Sequence, residues 1–145
     1  MKPEIGVITL AVENLERALT FYRALGLKSR GVTATEFAGD DTHPAGAIVM
    51  FRLNGGQILA LYPRSELAKD AGIPQGPAQS GEFSLGHIVA TREGVDALLA
   101  KAKAAGAPVT ALRDRPWGIY SGYFRDLDGH LWEIIHNPSS ADAST

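Results

Sequence analysis

The sequence predicts an α+β protein in which one βαβββ module is used twice, and three observations carry that prediction. A β-branched strand runs directly into an amphipathic helix, and the same pairing recurs later in the chain. Each strand and helix is followed by two apolar runs around a glycine-bearing turn. The copies also fall at fixed offsets: Leu15, Ala18, Leu19, Tyr22 and Leu25 precede Val95, Leu98, Leu99, Ala102 and Ala105 by 80 positions, and Gly56 precedes Gly129 by 73.

Taken in order, Ile5 to Val12 is β-branched and apolar and reads as a strand. "ENLERALTFYRALG" then places apolar residues at helical spacing, with Asn14 able to cap the start and Gly26 the end. "AIVMFRLNGGQILALYP" is two apolar runs around Asn54-Gly55-Gly56, residues that tolerate the positive φ of a hairpin turn, and Pro63 stops the second run. Residues 64–83 hold one short helical stretch, "SELAKDAG", and then linker composition, "IPQGPAQSGE". The pattern returns as "GHIVATREGVDALLAKAKAAGAPV", closed by Gly106, and as the hairpin "IYSGYFRDLDGHLWEIIHNP" around "DLDG". The expected organisation is a single domain, 1–145, of modules 4–63 and 84–137, a linker 64–83 and a flexible tail 138–145. A shorter middle loop accounts for the change of offset. Two copies are too few for a solenoid, so the two sheets must bury a face against each other or against a second chain.

With 145 residues the chain can bury a core without staples. It has no cysteine, which excludes disulfides, thiolate nucleophiles and zinc–thiolate sites, so any metal needs His and carboxylate ligands. Lys and Arg number 14 against 16 Asp and Glu, with no basic run, and nucleic acid is not an expected partner. No apolar stretch is long enough for a signal h-region or a membrane span, so a cytoplasmic protein without a membrane partner is expected.

The segment "GHLWEIIHNP" spaces His130, Glu133 and His136 by three. On a helix these would gather near one face, but on a strand Glu133 points opposite to both histidines. Flanking turn residues and apolar positions on both faces favour a short buried strand, which removes a three-ligand reading. His130 and His136 are then solvated or hydrogen-bonded residues.

"GVITLAVENLERALTFYRALGL" and "SGYFRDLDGHLWEIIHNP" together resemble the vicinal oxygen chelate superfamily, which contains glyoxalase I, bleomycin-resistance proteins and extradiol dioxygenases. The resemblance covers residues 4 to 138. It implies that the βαβββ units curl into a mixed β-sheet cup around a small molecule, and that two-module chains pair as homodimers. It further implies metal ligands on the first and last strands of each module, which transfer to Val7, Ala60, His87 and Glu133. Val7 and Ala60 cannot coordinate a metal. No resident metal is therefore expected, although one weakly bound divalent ion at His87 and Glu133 stays open.

The resemblance places His87 beside Glu133, as a catalytic acid–base dyad or as a buried pair that merely satisfies itself. Taking "DLDG" as a four-residue turn puts Phe124 opposite Leu131, Gly122 opposite Glu133 and Tyr120 opposite Ile135, all on the face of Glu133. The matching first-module set is Phe51, Val49 and Ala47 against Ile58, Ala60 and Tyr62. The expected ligand-binding residues are thus Phe51, Tyr62, Tyr120, Phe124 and Leu131. Trp117, on a Pro- and Gly-flanked loop, is either a lid or a tryptophan packed at a sheet edge. Arg113, Arg115 and Arg125 are candidates for an anionic ligand or for simple solvation, and Asp126 and Asp128 for holding the turn. Three functions follow: a small-molecule binder with aromatic walls, a lyase, isomerase or dioxygenase using Glu133 with His87 as acid and base or as a weak metal site, and a ligand-responsive interaction domain. The first is favoured by the missing ligands.

Overall fold

The computed structural model describes residues 1–33, 39, 41 and 46–139, so residues 140–145 of the expected tail lie outside the described residues. The elements are β1 (Val7–Val12), α1 (Leu15–Ala24), β2 (Val32–Thr33), β3 (Ile48–Arg52), β4 (Ile58–Pro63), α2 (Arg64–Ala71), β5 (Leu85–Ile88), α3 (Arg92–Ala104), β6 (Arg113–Asp114), β7 (Tyr120–Arg125) and β8 (Leu131–His136), with a 3-10 turn at Pro116–Gly118. They form two compact units, Met1–Ala78 and Gln79–Thr145. Each unit holds a four-stranded mixed sheet of the same topology, β1-β4-β3-β2 and β5-β8-β7-β6. In both, the first and last strands of the module lie side by side in parallel and the remaining pairs are antiparallel. Both modules therefore have the expected βαβββ architecture.

Helices α1 and α3 are each fixed by a side-chain cap and by one apolar stripe. Asn14 accepts the Arg17 N–H at 2.9 Å, and α1 buries Ala18, Leu19, Phe21 and Tyr22. Tyr22 meets Phe51 at 5.9 Å between ring centroids, in a core completed by Leu10, Val12, Val49, Leu59 and Leu61. Thr91 accepts the Gly94 N–H at 3.0 Å, and α3 buries Val95, Leu99 and Ala102. A Cβ built on Gly122 would lie 2.7 Å from Leu99 Cδ1, so α3 packs closely over that point of β7.

The internal repeat is not a single offset across strand and helix. α1 has 10 residues and α3 has 13. The C-caps Leu25 and Ala105 are 80 apart, whereas the N-caps Asn14 and Thr91 are 77 apart (91 − 14), so the three extra residues lie at the start of α3. The parallel registers agree: Ile8 pairs with Leu59 and Leu85 with Trp132, offsets of 77 and 73. The position corresponding to Val7 is consequently Ser84, and His87 corresponds to Leu10.

The hairpins also differ from expectation by one residue. Arg125 pairs with Leu131, and the Asp126 N–H donates to His130 O at 2.9 Å, leaving Leu127, Asp128 and Gly129 as a three-residue turn. In the first hairpin Arg52 pairs with Ile58 and the Leu53 N–H donates to Gln57 O at 2.8 Å, leaving Asn54, Gly55 and Gly56. Gly129 and Gly56 have φ of 84° and 89°, the conformation that closes such turns and that an L side chain resists. A three-residue turn in place of four shifts every pairing by one and exchanges the two faces of the partner strand. Asp126 supports the second turn, its Oδ1 accepting the N–H groups of Asp128 and His130 at 2.9 Å each.

Gly122→Ala should destabilise the protein by about 1–3 kcal/mol, because the added methyl overpacks against Leu99. Equilibrium denaturant unfolding checks this, and Leu99→Ala in the same background should recover part of the loss.

Candidate functional site

Because the missing Cβ of Gly122 points at α3, the side chains of Tyr120, Phe124 and their partners His136, Ile134 and Trp132 also belong to the α3 face. Ser121, Tyr123 and Arg125 occupy the opposite face with Ile135, Glu133 and Leu131. On this second face Tyr123 pairs directly across the strands with Glu133. The Tyr123 phenol is held above its ordinary value of 10.0 first by burial, then by the charge of Glu133 and by their side-chain hydrogen bond, with Arg115 opposing. At neutral pH the phenol therefore keeps its proton beside Glu133.

Two residues along the same face, Ser121 is fully buried, and its Oγ accepts a hydrogen bond from Arg115 Nε at 2.9 Å. On the other side of Tyr123 lies a groove of about 370 Å³, lined by Pro108, Val109, Thr110, Tyr123, Phe124, Arg125 and Leu131. Residues 108–110 run along β7: Thr110 N–H donates to Tyr123 O at 2.8 Å, and the Tyr123 N–H donates to Thr110 Oγ1 at 2.9 Å. The wall beside Tyr123 is thereby fixed by backbone as well as side chain.

The expected site residues are only partly brought together. Leu131 lies on the face of Glu133 and lines the groove. Tyr62 lies on the face of Ala60, where burial, then Asp70 and Glu66, raise its pKa. Phe51, 0% exposed, packs on Tyr22 instead of facing Ala60. Phe124, 2% exposed, stacks on Trp132 at 6.0 Å between centroids and meets the groove only from its own strand position. Tyr120 is held on the α3 side, where its hydroxyl donates to Asp96 at 2.6 Å and the Arg92 guanidinium lies 4.0 Å from the ring centroid. The faces of these three residues are corrected by the one-residue change of register, although Phe124 still lines the groove. Trp117 is 86% exposed, which removes the reading of a tryptophan packed at a sheet edge. Arg125 is held by the carbonyls of Ser80 and Gly129, at 2.9 and 2.6 Å.

The His87–Glu133 dyad does not form. Glu133 pairs with Gly86, and His87 pairs with Ile134, so the two side chains leave the sheet on opposite faces. A four-residue turn would place Gly122 opposite Glu133, whereas the three-residue turn places Tyr123 there. The G1-type glycine after "DLD" was the signal that could have found it. His87 keeps exposed surface, yet loss of water around its ring lowers its pKa below 6.5.

The fold and the site define a protein of the paired-βαβββ class. The chain belongs to the Glyoxalase/Bleomycin resistance protein/Dioxygenase superfamily, whose family model matches residues 4–134. A glyoxalase-related enzyme from Fulvimarina pelagi is similar at 29% identity, with a TM-score of 0.75 over 94% of this chain and 89% of that one. The hypothetical protein SA1046 from S. aureus is similar at 26% identity, with a TM-score of 0.72 over 94% and 95% of the two chains. A FosX variant from Listeria monocytogenes, complexed with Mn(II) and 1S,2S-dihydroxypropylphosphonic acid, shares the fold at 19% identity, with a TM-score of 0.67 over 97% and 95%. No curated protein matches the chain.

A metal of the kind in that FosX complex does not fit the implied positions here. Val7 and Ala60 have no donor atom, and His87 and Glu133 point to opposite faces of one sheet. Among the described residues no group of three or more His, Cys, Asp or Glu side chains could hold an ion. No helix among them is long and apolar enough to cross a membrane.

The lowered pKa of His87 makes a pH prediction. The unfolded state binds the His87 proton more readily than the folded state, so stability is fully present above about 6.5, the unfolded value, and declines as pH falls toward the lower folded value. His87→Gln should flatten the decline just below pH 6.5 and leave stability at pH 8 nearly unchanged, as read by thermal unfolding across a pH series.

Proposed function

We propose that the chain is a small-molecule binder of the glyoxalase and bleomycin-resistance group, whose ligand lies along the face of Glu133 with its apolar body in the groove at Leu131. The observation that carries this reading is the Tyr123–Glu133 pair, a donor and an acceptor at the side of a preformed groove. The walls differ from the aromatic cup expected from sequence: Tyr123 and Phe124 supply the aromatic surface in this unit, and Leu131, Arg125 and the 108–110 segment supply the rest. Trp117, exposed on its turn, is available as a cover.

A second reading is an enzyme in which Glu133 accepts a proton from the ligand while Tyr123 holds the carboxylate in place. The cross-strand Tyr123–Glu133 pair favours it, and so does the likeness to a glyoxalase-related enzyme. In that case Glu133→Gln abolishes turnover and leaves affinity within about tenfold, or roughly 1.4 kcal/mol. Homodimerisation and a cytoplasmic location belong to the same proposal; β1 and β5 are the end strands of their sheets, positions that a second copy could cover.

Screening small aromatic compounds by amide-resolved NMR tests the binder reading. Hits should shift Thr110, Tyr123 and Leu131. Leu131→Ala should weaken a hit about tenfold, or roughly 1.4 kcal/mol, whereas Tyr120→Phe leaves it unchanged. Dialysis against EDTA should leave the affinity of the hit unaltered. Hits confined to other residues, or lost on EDTA treatment, contradict the reading.

A further inference from the structure

We infer that Arg115 is the anion receptor of the groove, so that the ligand is a small carboxylate carrying a hydroxyl: the carboxylate on the guanidinium and the hydroxyl at the Tyr123–Glu133 pair. This deepens the proposed function and rests on it.

Ser121, Tyr123 and Arg125 share one face of β7, and successive positions on a face are roughly 7 Å apart. Arg115 stands over the first, Glu133 is paired across the strands with the second, and Leu131 with the third. A ligand lying along this line meets a cation, a hydrogen-bonding pair and an apolar wall in turn.

Arg115 is placed rather than merely exposed. Its backbone N–H donates to Ile119 O at 2.7 Å, closing the Pro116–Gly118 turn, and its Nε donates to the buried Ser121 Oγ at 2.9 Å. That leaves the Nη groups, the fork that matches a carboxylate. Arg115 is in none of the ion pairs among the described residues. Arg125, by contrast, has an Nη hydrogen-bonded to two backbone carbonyls. The turn itself carries strain, since Trp117 has φ of 63°, a rare value for a bulky residue. Such strain is kept where the surroundings fix a local shape, here the shape that presents Arg115.

Two probes of nearly equal shape test the assignment: 4-hydroxybenzoate and its neutral analogue 4-hydroxybenzamide, titrated by NMR into the full chain. The benzoate should bind at least about tenfold more tightly, a difference of roughly 1.4 kcal/mol, and should weaken as salt rises. Arg115→Gln should remove that advantage and leave the benzamide unchanged, while Arg115→Lys should restore part of it. Ser121→Ala, a small change that releases the guanidinium, should give an intermediate loss and guards against a folding defect in the loop. Equal binding of the two probes, or an equal effect of Arg115→Gln on both, overturns the anion assignment and leaves the groove reading standing. Failure of both probes to shift Tyr123 or Leu131 at millimolar concentration overturns both.

Discussion

Two glycines at positive φ decide what each hairpin presents. Gly56 and Gly129 close three-residue turns, and those turns set the register of β3 on β4 and of β7 on β8. Register in turn chooses which side chains face the helices and which face away. In the second unit it sends Phe124 to the α3 side and turns Tyr123 toward Glu133. The core and the candidate site are thus two consequences of one local backbone choice.

Burial then sorts the aromatic residues. Phe51 and Phe124 fill the space beneath the helices, where full burial of such a side chain contributes about 1.5–3 kcal/mol each. Tyr120 is held at the α3 side by Asp96 and Arg92. What remains on the Glu133 face is more polar than an aromatic cup: a phenol, a carboxylate, a serine hydroxyl and a guanidinium along one strand pair. The chemistry available there is hydrogen bonding and proton acceptance.

Much of the architecture was legible in the sequence because it rests on periodicity and punctuation. The helical spacing of Leu15 to Leu25, the caps at Asn14 and Gly26, and the glycine-bearing turns were enough to specify two βαβββ modules. The site was less legible because it depends on single-residue counts. "DLDG" reads equally well as a four-residue turn or as three turn residues after a paired Asp126, and only the second puts Tyr123 opposite Glu133. Likewise the offset of 80, correct at Gly106, fails by three at the strand, because α3 begins one turn earlier than α1. Periodicity cannot detect an added helical turn that preserves the apolar stripe. That insertion is why His87 corresponds to Leu10 rather than to Val7 in the register of the two sheets.

Glu133 is partnered across the sheet by Tyr123 and not by His87. A double-mutant cycle in equilibrium unfolding tests it directly, with Tyr123→Phe and Glu133→Gln as one pair and His87→Gln with Glu133→Gln as the other. A coupling of about 0.5–3 kcal/mol is expected for Tyr123 with Glu133, and additivity within about 0.5 kcal/mol for His87 with Glu133. Coupling between His87 and Glu133, with none between Tyr123 and Glu133, would contradict the register and the site built on it.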